Sequence, residues 1–101
     1  MAFVRVASAS RLREGNLVEV EVAGRFVAVC RSGGAIYAMD GICPHSGGPL
    51  GQGALHGTAV VCPWHAWEFD CRTGILDYNE RIRVPTFAVR IEGDDILADL
   101  P

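Results

Sequence analysis

The stretch from Ile42 to Gly74 reads ICPHSGGPLGQGALHGTAVVCPWHAWEFDCRTG. It holds two short clusters, Cys43-Pro44-His45 and Cys62-Pro63-Trp64-His65, with sixteen residues between them. Each cluster supplies one thiol and one imidazole. Two thiolates and two imidazoles, delivered as two mixed pairs, match a 2Fe-2S centre in which His replaces Cys on one iron. The spacing has a physical logic. In extended backbone, residues i and i+2 point to the same face, so Cys43 and His45 can reach one object together. Cys62 and His65, three apart, suit a turn closing on that same object. Pro44 fixes φ between its neighbours and removes an N–H that would need a partner. Gly47 and Gly48 let backbone N–H groups approach sulfur with no Cβ in the way. Such hydrogen bonds are one lever on reduction potential.

Cys2His2 is also a zinc set, and a zinc-stabilised interaction module is the competing reading. Zinc sites usually space their ligands as C-x(2–4)-C and H-x(3–5)-H, often with one pair on a helix. Neither pair here is Cys-Cys or His-His, and the region reads as loop and strand.

The motif C-x-H, sixteen residues, then C-x-x-H resembles that of the Rieske iron–sulfur proteins. The 42–74 stretch is similar to the cluster-binding region of Rieske ferredoxins that serve bacterial ring-hydroxylating oxygenases. The resemblance extends more loosely over nearly the whole chain. It implies one 2Fe-2S cluster per chain, with Cys43 and Cys62 on the buried iron and His45 and His65 on the outer one. It implies an electron carrier and not an enzyme, taking electrons from a flavin-dependent ferredoxin reductase fed by NAD(P)H and passing them to a terminal oxygenase. The small subunit of an NADH-dependent nitrite reductase is the alternative within the same resemblance. High-potential Rieske proteins carry an extra disulfide between the ligand loops; the corresponding positions here hold Gly48 and Trp64. They also donate hydrogen bonds from a Ser and a Tyr just after the second pair. Here those places hold Trp67 and Phe69, which implies a potential at the low end of the Rieske range. By a weaker resemblance, 79–85 forms a third loop over the cluster.

Composition agrees with a small carrier. At 101 residues the chain forms one domain, large enough for a core but with little to spare. The formal charge is −3, all nine basic residues are Arg, and no basic run exists, which argues against nucleic acid. The start, Met1 to Val6, is short and interrupted by Arg5, so it is no signal peptide. No stretch approaches the roughly 18 apolar residues of a membrane span. A cytoplasmic monomer without a membrane partner is expected. An appended oxygenase domain would need its own two-His, one-carboxylate site, and only His56 remains uncommitted.

Cys30 and Cys71 read as small buried hydrophobes, and His56 as a surface residue in a turn. The acidic residues Glu92, Asp94, Asp95 and Asp99 read as a solvated hairpin and C-terminus. Trp67 and Phe69 read as packing. Pro44, Pro49 and Pro63 read equally as packing or as an apolar collar around the histidines. Val18, Val20 and Val22 alternate with Glu19 and Glu21, a half-buried strand. Gly-containing turns lead into strands at Arg25–Arg31, Ala35–Asp40 and Asp95–Leu100. Further strands are predicted at Thr58–Val61, Ala66–Asp70 and Thr86–Glu92, and one helical turn at Ser8–Glu14 capped by Ser8 or Ser10. The expected fold is all-β: a Rieske-like antiparallel sandwich or barrel over residues 1–101, with a cluster-binding lobe inserted at about 41–74.

Overall fold

The computed structural model describes residues 2–101. Its strands are, in chain order, β1 (Ala2–Ser8), β2 (Leu17–Val22), β3 (Arg25–Ser32), β4 (Ala35–Asp40), β5 (Ala54–His56), β6 (Ala59–Val61), β7 (Glu68–Asp70), β8 (Ile75–Leu76), β9 (Asn79–Arg83), β10 (Thr86–Phe87), β11 (Val89–Glu92) and β12 (Asp95–Leu100). Three antiparallel sheets result, ordered β1-β12-β11, β10-β4-β3-β2 and β5-β6-β7-β8-β9. This is the all-β sandwich of the sequence reading; no closed barrel occurs among the described residues.

Strand β3 explains how the sheets stack. Its run Phe26-Val27-Ala28-Val29-Cys30 is apolar without interruption, the pattern of a strand covered on both faces. Val27 and Val29 enter one core with Val6, Leu12, Ile96 and Ala98. Ala28 and Cys30 enter another with Met39, Cys43, Leu50 and Phe69. Strand β2, at the sheet edge, keeps the simple alternation: Val18, Val20 and Val22 pack inward and Glu21 stays exposed. Leu50 and Phe69 are fully buried beneath the two ligand loops. Truncating either to Ala costs about 2–5 kcal/mol, through lost transfer energy and the cavity left behind.

Two local expectations differ from the structure, and one strand that the sequence reading did not name is present. Residues 2–8 form a strand, because Arg5 does not interrupt an alternation; it faces out and pairs with Asp95 at 2.8 Å while Val6 is buried. Thr86–Glu92 is two strands. β10 pairs with β4, and after Ala88 the chain changes sheets so that β11 pairs with β12. Phe87 and Val89 still reach the same core across that change, whereas Ile91 is exposed. The turn after Ser8 is a short 3-10 turn, Ala9–Arg11, with no side-chain cap.

Ser8 and Ser10 serve Asp94 instead. The Ser8 hydroxyl donates to the Asp94 carboxylate, the Ser10 hydroxyl donates at 3.0 Å, and the Ser10 N–H donates at 2.8 Å. These bonds, the Ser8 hydroxyl first, hold the Asp94 carboxyl below its ordinary value of 3.8. A folded-state pKa that is depressed stabilises above the unfolded value, and the benefit is lost as pH falls through the folded value. Asp94→Ala should therefore lower the thermal midpoint at neutral pH, and its gap from wild type should close in acid. Thermal unfolding by far-UV circular dichroism across that range tests this; a gap that persists undiminished to about pH 2 contradicts the linkage.

Candidate metal centre

Two loops meet over the second core. The first leaves β4 at Gly41 and is closed by the bridge between Ile42 and Pro49. Its root is pinned, since the Gly41 N–H donates to the Phe26 carbonyl and the Leu50 N–H to the Gly41 carbonyl, both at 2.9 Å. The second loop joins β6 to β7. Inside, the loops share one backbone pattern. The Gly47 N–H donates to the Cys43 carbonyl at 2.8 Å, and the Cys43 N–H to the Gly48 carbonyl at 2.9 Å. The Ala66 N–H donates to the Cys62 carbonyl at 3.0 Å, and the Cys62 N–H to the Trp67 carbonyl at 2.8 Å. This closure places the fourth residue after each cysteine in the left-handed region: Gly47 at φ +75° and Ala66 at φ +60°. Glycine adopts that conformation freely, while an L-residue there costs roughly 1–2 kcal/mol.

The loops sort their side chains by depth. Cys43 and Cys62 are each 1% exposed, at the loop bases. His45 and His65 are exposed at the tips, with ring centroids 5.2 Å apart and planes at 69°. Burial raises the Cys62 thiol pKa, but the Trp64 and His65 N–H groups, the Ser46 hydroxyl and Cys43 outweigh it, so the net shift is downward. The Ser46 hydroxyl lies 3.9 Å from the Cys62 sulfur. A Cβ at Gly48 would stand 2.8 Å from that sulfur and 3.1 Å from the Trp64 ring. The backbone at 48 therefore approaches the thiol more closely than any other residue type allows.

These residues suit a dinuclear sulfide cluster. Two buried thiols and two exposed imidazoles provide two chemically different ends.

The remaining candidates separate as follows. Cys30 and Cys71 are buried in the second core with the other two cysteines. Burial, and the neighbouring Cys71 thiol, push Cys30 far above the usual thiol range; burial raises Cys71 as well. Both are thus protonated, inert side chains. His56 ends β5, paired with Ala59, and is exposed. Pro44 and Pro63 are exposed beside the histidines, whereas Pro49 is half-buried. Trp64 is 58% exposed. Trp67 packs on the second core and stacks face to face on His45, with centroids 3.9 Å apart and planes 7° apart. The 79–85 segment is mostly strand β9 rather than a loop. Tyr78, just before it, meets Trp67 edge-on at 5.9 Å. Sequence reasoning missed Tyr78 and Ser46. An aromatic in the polar turn Asp77-Tyr78 was the available signal for the first; a hydroxyl directly after His45 was the signal for the second.

The family model described as the Rieske [2Fe-2S] domain matches residues 2–88. The chain belongs to the Rieske family. The Rieske assignment brings one 2Fe-2S cluster per chain as cofactor. The chain is 33% identical to the ferredoxin component of biphenyl 2,3-dioxygenase from Rhodococcus jostii (strain RHA1), over 99% of this chain and 94% of that one. It is similar to the ferredoxin of carbazole 1,9a-dioxygenase from Nocardioides aromaticivorans IC177, with a TM-score of 0.86, 32% identity and 97% of both chains covered. It is also similar to a chain in a complex of reduced oxygenase and oxidised ferredoxin in carbazole 1,9a-dioxygenase, with a TM-score of 0.86 and 26% identity over 95% of this chain and 91% of that one. The protein is a Rieske ferredoxin, an electron-transfer component rather than a catalytic oxygenase. The nitrite reductase alternative draws no support from these relatives. No helix among the described residues is long and apolar enough to cross a membrane.

One further property of the Rieske site bears on its partners. Residues 41–67 contain no Asp, Glu, Lys or Arg. The two loops that carry His45 and His65 hold no charged side chain and expose Ile42 and Trp64, while Tyr78 beside them lies near Asp77 and Glu68.

Proposed function

We propose that Cys43 and Cys62 ligate one iron, that His45 and His65 ligate the other, and that the protein carries single electrons from a flavin-dependent reductase using NAD(P)H to a terminal oxygenase acting on aromatic rings. We further propose a single-domain cytoplasmic monomer whose cluster lobe is centred on 41–74. The observation that carries the reading is the depth sorting on two matched loops: thiols at the base, imidazoles at the tip. The biphenyl and carbazole relatives support the substrate class, and the carbazole oxygenase–ferredoxin complex supports the partner.

When bound, the cluster supplies one-electron chemistry. The chain does the rest. Phe69 and Leu50 exclude water from beneath the thiolates. N–H groups of Trp64 and His65 orient toward the Cys62 sulfur and stabilise its thiolate. The exposed imidazole edges bring a partner's redox group within reach, and two charge-free loops around them offer a small surface for brief docking. Purified protein should contain two irons and two acid-labile sulfides and, once reduced, give a rhombic EPR signal. Freshly expressed protein with stoichiometric zinc and no chromophore would overturn the proposal.

The potential follows from the donors around sulfur. Trp67 and Phe69 carry no hydroxyl, so the midpoint should lie in the lower part of the roughly −150 to +300 mV Rieske range. Ser46 supplies one hydroxyl from the other loop. A donor to sulfur favours the more negative, reduced form, so Ser46→Ala should lower the midpoint further. Spectroelectrochemical titration measures both; a wild-type value above about +200 mV contradicts the hydroxyl argument.

A further inference from the structure

We propose that Trp67 and Tyr78 act together as a positioning device for His45, so that the two imidazoles of the site are mechanically unequal. The inference rests on His45 being a ligand, as argued above.

The geometry is one-sided. The Trp67 indole lies flat on the His45 ring, 3.9 Å between centroids and 7° from parallel. Flat contact at that distance leaves the imidazole no room to tilt toward the indole. Trp67 is itself braced twice. Phe69, fully buried, stands 6.4 Å away at 47°, and Tyr78 meets the indole edge-on at 5.9 Å and 81°. The Trp67 carbonyl also accepts the Cys62 N–H, which ties the indole's backbone to the base of the second loop. His45 is thus held by a residue of the opposite loop, through a ring that is anchored in the core. His65 has no such support. Among the described residues it meets no ring but that of His45, edge-on.

Packing alone accounts for a half-buried Trp67. It does not account for Tyr78, which is 64% exposed and gains little by burial. A tyrosine in a solvated turn that closes on the indole edge adds an edge-to-face contact to the packing. Its placement limits indole rocking, and so limits the plane of His45. The orientation of a ligating imidazole governs its overlap with the metal and is commonly fixed from outside the ligand set. Here a hydrogen-bonding partner is replaced by a stacked ring.

The test uses the holoprotein and reads the site by spectroscopy rather than turnover. Trp67→Phe keeps a flat face against His45; Trp67→Leu keeps bulk without one; Tyr78→Ala removes the brace from an exposed position with no core cost. In the reduced protein, Trp67→Leu should broaden the EPR lines and the distribution of one of the two imidazole nitrogen couplings in pulsed EPR. The other coupling should stay sharp. Trp67→Phe should restore narrow lines, and Tyr78→Ala should broaden the same coupling to a lesser degree. Equal broadening of both couplings, or Tyr78→Ala spectra superimposable on wild type, would overturn the proposal. A Trp67→Leu protein that loses its cluster leaves Tyr78→Ala to decide. Absence of imidazole nitrogen couplings in the wild type would instead refute the ligand assignment beneath it.

Discussion

Cys43→Ser and Cys62→Ser should each yield colourless protein, while Cys30→Ala and Cys71→Ala retain full colour. All four cysteines lie in the same core and all four are almost completely buried, so exposure does not separate them. What separates them is the backbone around the sulfur. Cys43 and Cys62 head loops whose fourth residue is left-handed, and N–H groups point at the Cys62 sulfur. Cys30 and Cys71 sit beside each other, deep in the core, and burial drives both toward the neutral thiol. Removing a ligating thiolate deletes a charged bond to the metal. Removing a core thiol deletes a few packing contacts, at a cost of order 1 kcal/mol. Visible absorbance, with iron and sulfide analysis, checks the contrast. A Cys71→Ala protein that bleaches beside a coloured Cys62→Ser protein would reassign the ligands.

A charge placed on the histidine rim should slow electron delivery without altering the cluster. Pro63→Asp and Trp64→Asp introduce a carboxylate into a surface that has none over residues 41–67. An exposed tryptophan at the centre of a small interface is a common anchor, and losing it costs about 2 kcal/mol or more. Oxygenase turnover against ferredoxin concentration, with reductase in excess, should then require at least about tenfold more ferredoxin for half-maximal rate. Wild-type turnover should change less than about twofold between ~0.05 and ~0.3 M salt, since the two histidine loops themselves carry no charge to be screened. An unchanged curve for both variants would move the docking surface elsewhere. The C-terminal hairpin is then a poor second candidate. Two of its carboxylates, Asp95 and Glu92, are paired with Arg5 and Arg90, and Asp94 is tied to Ser8 and Ser10, so its side chains are less free to meet a partner.

Much of this was legible in the sequence because ligand chemistry is local. The four proposed ligands, Cys43, His45, Cys62 and His65, stand out by type and spacing, and the glycine-marked turns located most of the long strands. The parts that were not legible depend on pairing between distant segments. β1 was invisible because its partner, β12, lies at the other end of the chain. The break at Ala88 was invisible because Phe87 and Val89 keep one period while their strands change neighbours. Ser8 and Ser10 looked like helix caps because serines before a polar turn usually are, and only the fold brings Asp94 to them. Tyr78 could not be placed because its contact with Trp67 depends on the register of β8 and β9, which shifts by a bulge between Ile75 and Leu76.

Strand β3 turns cofactor retention into a thermometer. One of its faces lines the core beneath the ligand loops and the other lines the core closed by β1 and β12. A wall shared in this way couples the two cores, so weakening either one should lower the temperature at which the other is lost. Substitutions far from the Cys/His loops, such as those at Ile96 or Ala98, are therefore expected to lower the temperature at which colour fades.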